Sequence, residues 1–210
     1  MIAVRAQACP PKKSRIMIVY GLGCNRYTCG VRARHIHLNK IRNPDTVESV
    51  EVMCNTTDSK SMTYDIWRRL KNEDLGCTPF VEHVMTEVEN KLSRDEPVIL
   101  LGHSYGGSVV SRVGLLLKDT SKDLRIGTFG SIFVPPEDAT GTLDIRHYMY
   151  RNDIAALCHK RSKSYKNLIF IDTPYKRNPI YSHMDYDRLI ARVAETGTLR
   201  SLDSLHERLK

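Results

Sequence analysis

Residues 98–107 read Val98-Ile99-Leu100-Leu101-Gly102-His103-Ser104-Tyr105-Gly106-Gly107, an apolar run, introduced by Pro97, that delivers a Gly-x-Ser-x-Gly motif. Beyond the motif, Val109, Val113, Leu116 and Leu117 recur at helical spacing and predict one buried stripe. A strand that turns sharply onto a serine and leaves as a helix is a nucleophile elbow, in which a strained backbone projects the hydroxyl from the sheet edge. Glycines two residues to either side remove Cβ atoms that would collide where strand and helix pack closely. The same letters also allow a plain glycine turn with a capping serine.

Working outward, short apolar runs alternate with helical periods. Ile16-Met17-Ile18-Val19-Tyr20 predicts a buried strand closed by Gly21 and Gly23. Residues 31–38 and 47–54 are possible strands, and 64–75 is weakly helical. Val81, Val84, Met85, Val88 and Leu92 predict an amphipathic helix over 78–93, with Thr78 as N-cap and Pro79 in the first turn. Further strands are expected at 97–101, at 124–133 before Pro135-Pro136, at 144–150 and at 167–171. A helical tail from about Met184 is interrupted at Gly197. This order predicts an α/β fold: a mainly parallel sheet with helices on both faces and a small or absent cap. Residues 1–15 read as a disordered lead-in, punctuated by Arg5, Pro10, Pro11, Lys12 and Lys13, and 16–210 as one domain.

With 210 residues and 41% hydrophobic content, the chain can bury a core without disulfides. No apolar stretch reaches the roughly 18–20 residues that span a bilayer, and no secretory apolar region is present. Six scattered cysteines (9, 24, 29, 54, 77 and 158) then read as reduced thiols in a cytoplasmic setting. The net charge of +8 is uneven: residues 151–177 hold Arg151, Lys160, Arg161, Lys163, Lys166, Lys176 and Arg177 against Asp153 and Asp172. That stretch is a solvated basic loop or attracts an anionic substrate or surface, and no nucleic-acid motif accompanies it. Cys24, Cys29, His35 and His37 could form a zinc site, but their spacing is irregular for a structural finger. No metal or organic cofactor is expected.

Ligands of such folds gather at the carboxyl ends of strands. Ser104 ends one strand, Asp153 follows the 144–150 strand, and His183 lies in the loop after the 167–171 strand. Serine, acid and histidine in that chain order are what an α/β-hydrolase requires. A neutral imidazole must take the hydroxyl proton during attack and return it to the departing group. A carboxylate must fix the imidazole tautomer and stabilise the transient cation. Asp172, ending the next strand, is an alternative acid, whereas Asp185 reads as a first-turn helix residue. Among the other histidines, His103 cannot easily fold back onto the adjacent hydroxyl, His83 is on a polar helix side, His147 is inside a strand and His159 is in the basic loop. His35 and His37 share a face of a possible edge strand, and His206 is in the tail. For the oxyanion, one donor is the backbone N–H of Tyr105, and the glycine turn after the first strand offers Leu22, with Gly23 next.

At this point the sequence resembles the α/β-hydrolase superfamily, and within it the class 3 lipases. The resemblance rests on residues 98–107, on Gly127-Thr128-Phe129-Gly130-Ser131, on His147-Tyr148-Met149-Tyr150-Arg151-Asn152-Asp153-Ile154 and on Ser182-His183. It covers about residues 97–186 and implies the triad roles for Ser104, Asp153 and His183. Tyr105 stands where that family usually has leucine, and Tyr20-Gly21-Leu22-Gly23 replaces its Arg-Gly-Ser or Arg-Gly-Thr. The implied substrate is a small or phospholipid-like carboxylic ester cleaved through an acyl-enzyme. Thioesterase, acyltransferase and amidase chemistry use the same triad. A hydrolase fold without turnover, recruited to an anionic surface through residues 151–177, is the expectation from a different class.

Overall fold

A computed structural model of the chain describes residues 12–21, 43–55, 59–70, 78–94, 96–119, 123–159, 165–172 and 178–203. Six parallel strands form one sheet: β1 Ser14–Val19, β2 Val47–Met53, β3 Val98–His103, β4 Leu124–Phe129, β5 Asp144–Tyr150 and β6 Leu168–Ile171. Their order is β2-β1-β3-β4-β5-β6. The order reverses between β1 and β3, and it is outside the carboxyl ends at such a reversal that doubly wound sheets bind ligands. Register keeps those ends level, with Val19 opposite Gly102, His103 opposite Phe129, and Phe129 opposite Tyr148.

The helices are α1 Ser59–Leu70, α2 Pro79–Leu92, α3 Tyr105–Leu117, α4 Glu137–Thr140, α5 Pro179–Met184 and α6 Asp187–Thr196. Two-residue alternation along each strand divides its side chains between two cores. Met17, Val19, Leu100 and Ile126 pack beneath α2 (Val81, Val84, Val88) and α3 (Val109, Val113, Leu117). On the opposite face Ile18, Leu101, Phe129 and Tyr148 pack beneath α6 (Ile190, Val193, Ala194) and Leu199. The sheet is thus covered on both sides, as strands apolar on both faces require. Thr78 caps α2 by accepting from the Val81 N–H, with Pro79 just inside.

Several expectations need correction. Helix α1 spans Ser59–Leu70 among the described residues, so it takes in five residues before the 64–75 reading, and residues 71–75 lie outside the described residues. The 124–133 strand stops at Phe129, because Gly130 takes φ +56° and turns the chain out of the sheet. Leu116 faces solvent at 39% exposure, while Val110 and Gly114 are buried. A Cβ on Gly114 would meet the Ile126 side chain at 2.2 Å, so the helix backbone itself is the packing surface there. His183 sits in the last turn of α5, a short helix opened by an Asn178 cap and Pro179, rather than in a loop. His159 is buried in a 3-10 helix, Ile154–His159, and not in a solvated loop. The possible strand at 31–38 lies outside the described residues, as do Cys24, Cys29, His35 and His37.

Close backbone packing joins α3 to the sheet. A Cβ on Gly106 would lie 2.1 Å from the Val19 carbonyl oxygen, and one on Gly102 would lie 2.5 Å from the Gly106 oxygen. Gly106→Ala is therefore expected to cost about 3 kcal/mol or more, read as a lowered denaturant midpoint. Ser108, on the same helix, buries a hydroxyl with no hydrogen-bond partner among the described residues. Ser108→Ala is expected to leave the midpoint unchanged or raise it.

His147 is fully buried in β5, with Nδ1 against the Thr128 hydroxyl at 2.7 Å. Burial, reinforced by the neighbouring His159, pushes its pKa down to about 3. Between pH 6.5 and that value the unfolded chain binds a proton that the folded chain refuses, so stability falls as the solution is acidified. The effect of this group is at most about 1.4 kcal/mol per pH unit. Urea midpoints measured from pH 7 to pH 5 should fall in the wild type and fall less steeply in His147→Gln.

Candidate active site

Ser104 is the only described non-glycine residue with positive φ (φ 56°, ψ −125°). Its N–H donates to the Phe129 carbonyl at 2.9 Å, and its own carbonyl accepts from the Gly107 N–H at 2.9 Å, which fixes both sides of the bend. The result is a half-buried serine between buried neighbours, with its side chain free to face the rim of the sheet. Ser104 Oγ lies 2.8 Å from His183 Nε2, and His183 Nδ1 lies 2.8 Å from Asp153 Oδ1. Three side chains from the β3–α3 turn, α5 and the loop after β5 thus form one hydrogen-bonded line. Since Nδ1 faces a carboxylate, it carries the proton, and Nε2 accepts from the serine hydroxyl.

The carboxylate is held firmly. The Asp153 side chain is 0% exposed and the His183 side chain 16%. Oδ1 also accepts from the Ala155 N–H at 2.7 Å, and Oδ2 accepts from the Tyr186 hydroxyl at 2.6 Å. Gly130 lies beneath this pair. A Cβ there would come within 2.7 Å of Asp153 Oδ2 and 3.2 Å of His183 Nδ1, so any side chain would push acid and base apart. His103 has a place in the site too: its Nε2–H donates to the His183 carbonyl at 2.7 Å and holds the end of α5 against the elbow.

The alternative acids are placed elsewhere. Asp172 is exposed and pairs with Arg151 at 3.0 Å. Asp185 caps the carboxyl end of α5, where its carbonyl accepts from the Tyr150 hydroxyl at 3.2 Å, so it is not a first-turn residue. Tyr105 opens α3, and its N–H belongs to the helix end where backbone donors lack intrahelical acceptors. Gly21 approaches this group so closely that a Cβ would lie 2.8 Å from the Tyr105 nitrogen. Leu22 and Gly23 lie outside the described residues. A groove of about 440 Å³ lined by Lys12, Asp45, Pro97, Asp123 and Arg125 is at the amino ends of the strands, the opposite rim from Ser104.

Sequence reasoning placed Gly21 in the glycine turn but missed the roles of Gly130 and Tyr186 and the contact made by His103. Gly130 had a signal in the Gly-Thr-Phe-Gly-Ser run, whereas Tyr186 had none: its role depends on a contact across 33 residues.

The sheet order, the elbow and the helices on both faces define an α/β-hydrolase fold. No protein-family model matches the sequence, and no curated protein matches it significantly. The fold is similar to that of the phospholipase PlaB from Legionella pneumophila, at 10% identity and a TM-score of 0.53, over 94% of this chain and 62% of PlaB. This chain therefore spans less than two thirds of that protein. Est1E from Butyrivibrio proteoclasticus is similar at 14% identity over 92% of this chain and 90% of its own, with a TM-score of 0.46. A Xanthomonas campestris protein assigned as a hydrolase of the alpha/beta superfamily is similar at 15% identity over 84% and 97%, with a TM-score of 0.40. No described helix is long and apolar enough to cross a membrane.

The backbone at Ser104 yields a stability test. An L side chain at positive φ is strained by about 1–3 kcal/mol, and glycine escapes that cost. Ser104→Gly should melt about 2–4 °C or more above Ser104→Ala, although both lose the same hydroxyl. Equal melting temperatures would show that the bend carries no strain.

Proposed function

We propose that the protein is a serine hydrolase that cleaves carboxylic esters through an acyl-enzyme on Ser104. The observation that carries this reading is the continuous line Ser104 Oγ–His183 Nε2 and His183 Nδ1–Asp153 Oδ1, each link 2.8 Å, built on a strained elbow. In the first half-reaction Ser104 Oγ attacks the ester carbonyl as His183 Nε2 takes its proton. Asp153 stabilises the imidazolium and holds its tautomer. The developing oxyanion is received by the Tyr105 N–H, with a second donor from the turn after β1, where Leu22 and Gly23 are the candidates. His183 then protonates the leaving alcohol. Water, deprotonated by the same imidazole, releases the acid and restores the serine.

The rim favours a substrate with an apolar acyl part. Ile154, Ile180, Tyr181 and Met184 are all about half exposed or more, and each lies within three residues of Asp153 or His183. Exposed apolar side chains so near the acid and base in the chain offer a surface for an apolar ligand. The phospholipase PlaB, which shares the fold, is consistent with an ester of this kind. A class 3 lipase-like activity is the finer form of this reading, directed to dispersed or phospholipid-like esters. The basic stretch 151–177 would add attraction for an anionic headgroup or surface.

A fluorophosphonate probe should label the folded protein at Ser104. Ser104→Ala should abolish labelling, and His183→Ala should slow it by roughly 10²-fold or more. p-Nitrophenyl esters of rising chain length should be hydrolysed with the same dependence on Ser104. Absence of labelling, together with salt-sensitive binding to anionic vesicles that survives Ser104→Ala, would favour a binding module instead.

A further inference from the structure

We propose that Tyr186 is a positioning residue for the acid–base pair: its hydroxyl holds Asp153 Oδ2 so that Oδ1 faces His183. This rests on the serine-hydrolase reading above. The two carboxylate oxygens have different partners. Oδ1 accepts from His183 Nδ1 and the Ala155 N–H, and Oδ2 accepts from the Tyr186 hydroxyl at 2.6 Å. The phenol oxygen itself accepts from the Tyr150 N–H at 2.7 Å. With a backbone donor filling that side of the oxygen, the phenolic proton is directed to the carboxylate.

The ring has little freedom. Tyr186 is 0% exposed, stacks on Tyr150 at 4.5 Å between centroids and 22° between planes, and contacts His103 at 5.6 Å. It stands between α5, which carries His183, and α6, whose Leu189 and Ile190 N–H groups donate to its carbonyl. One residue therefore ties the helix bearing the base to the loop bearing the acid. A carboxylate rotates readily about its last torsion, a broad two-fold well, so a donor on one oxygen fixes where the other points. Burial and the Asp153 charge hold the Tyr186 phenol well above its usual pKa, which keeps it a donor. The titratable groups facing this unit are His183 from α5, His103 from β3, Tyr150 from β5 and His159 from the 3-10 helix after Asp153.

A tyrosine that only filled the core would affect stability alone. A positioning tyrosine also affects proton affinity. The hydroxyl stabilises the anionic pair, in which Asp153 is charged and His183 neutral, more than the protonated pair. Removing it raises the proton affinity of the pair, so activity is lost at a higher pH on the acid side.

The test is the rate of fluorophosphonate labelling against pH, followed for the folded fraction of wild type, Tyr186→Phe and Tyr150→Phe. Tyr186→Phe is expected to label roughly tenfold more slowly at neutral pH, with its acid limb moved up by about one pH unit. Tyr150→Phe removes a neighbouring hydroxyl that donates to the Asp185 carbonyl, and should leave the limb in place. Should Tyr186→Phe fail to fold, 3-fluorotyrosine at position 186 keeps the ring and strengthens the donor, and the limb should move to lower pH. An unmoved limb in a labelled protein, whatever the change in melting temperature, would overturn the assignment to Tyr186. A wild-type protein that is not labelled at Ser104 would overturn the hydrolase reading and this proposal with it.

Discussion

The structure depends on a backbone-to-backbone contact, the seating of the α3 amino end on the end of β1. Gly106 lies where a Cβ would be 2.1 Å from the Val19 oxygen. Only with that gap closed can β3 turn through Ser104 at φ 56° and pass directly into α3. Dense packing makes such a contact all-or-none, because interiors at crystal-like density have no slack to absorb an added methyl. The strain at Ser104 is sustained by the contacts on either side of it, and it aims the hydroxyl at the rim where β1, β3, β4 and β5 end together.

A second constraint follows from burying a carboxylate. Asp153 has no access to water, so its charge must be satisfied by protein donors. His183, Ala155 and Tyr186 supply them from three elements. Each donor that stabilises the charge also restricts its orientation, so solvation and positioning are achieved by the same groups. Gly130 completes the arrangement by leaving no side chain between β4 and the acid–base pair. Beneath it, Tyr20, His103, Phe129, Tyr150 and Tyr186 form a ring-to-ring platform. The His183 ring lies 5.4 Å from that of His103, so the platform backs the imidazole whose Nε2 meets Ser104.

What could be read in the sequence was local or ordered along the chain. The elbow was legible because strand, turn and helix are contiguous, and Thr78-Pro79 because a cap and a first-turn proline are adjacent. Asp153 and His183 could be chosen because strand ends in a parallel sheet converge on one rim, which turns chain order into spatial proximity. Short and tertiary features were not legible. Six-residue α5 has too few turns to show periodicity, so His183 read as a loop residue. Leu116 fits the helical stripe by spacing, yet Gly114 brings the helix so close to Ile126 that the packing axis turns Leu116 to solvent. Tyr186 carries no local signal, because nothing in its neighbours points to a partner in the loop after β5.

In the proposed mechanism the Ser104 hydroxyl gives its proton to His183 and takes an acyl group in return. Acid-quenched intact-mass and peptide analysis during turnover of a p-nitrophenyl ester tests it most directly. A transient acyl mass is expected on the peptide containing Ser104, formed no faster than p-nitrophenol appears and absent in His183→Ala over the same interval. Ester turnover with no adduct on that peptide, or an adduct on another residue, would contradict it.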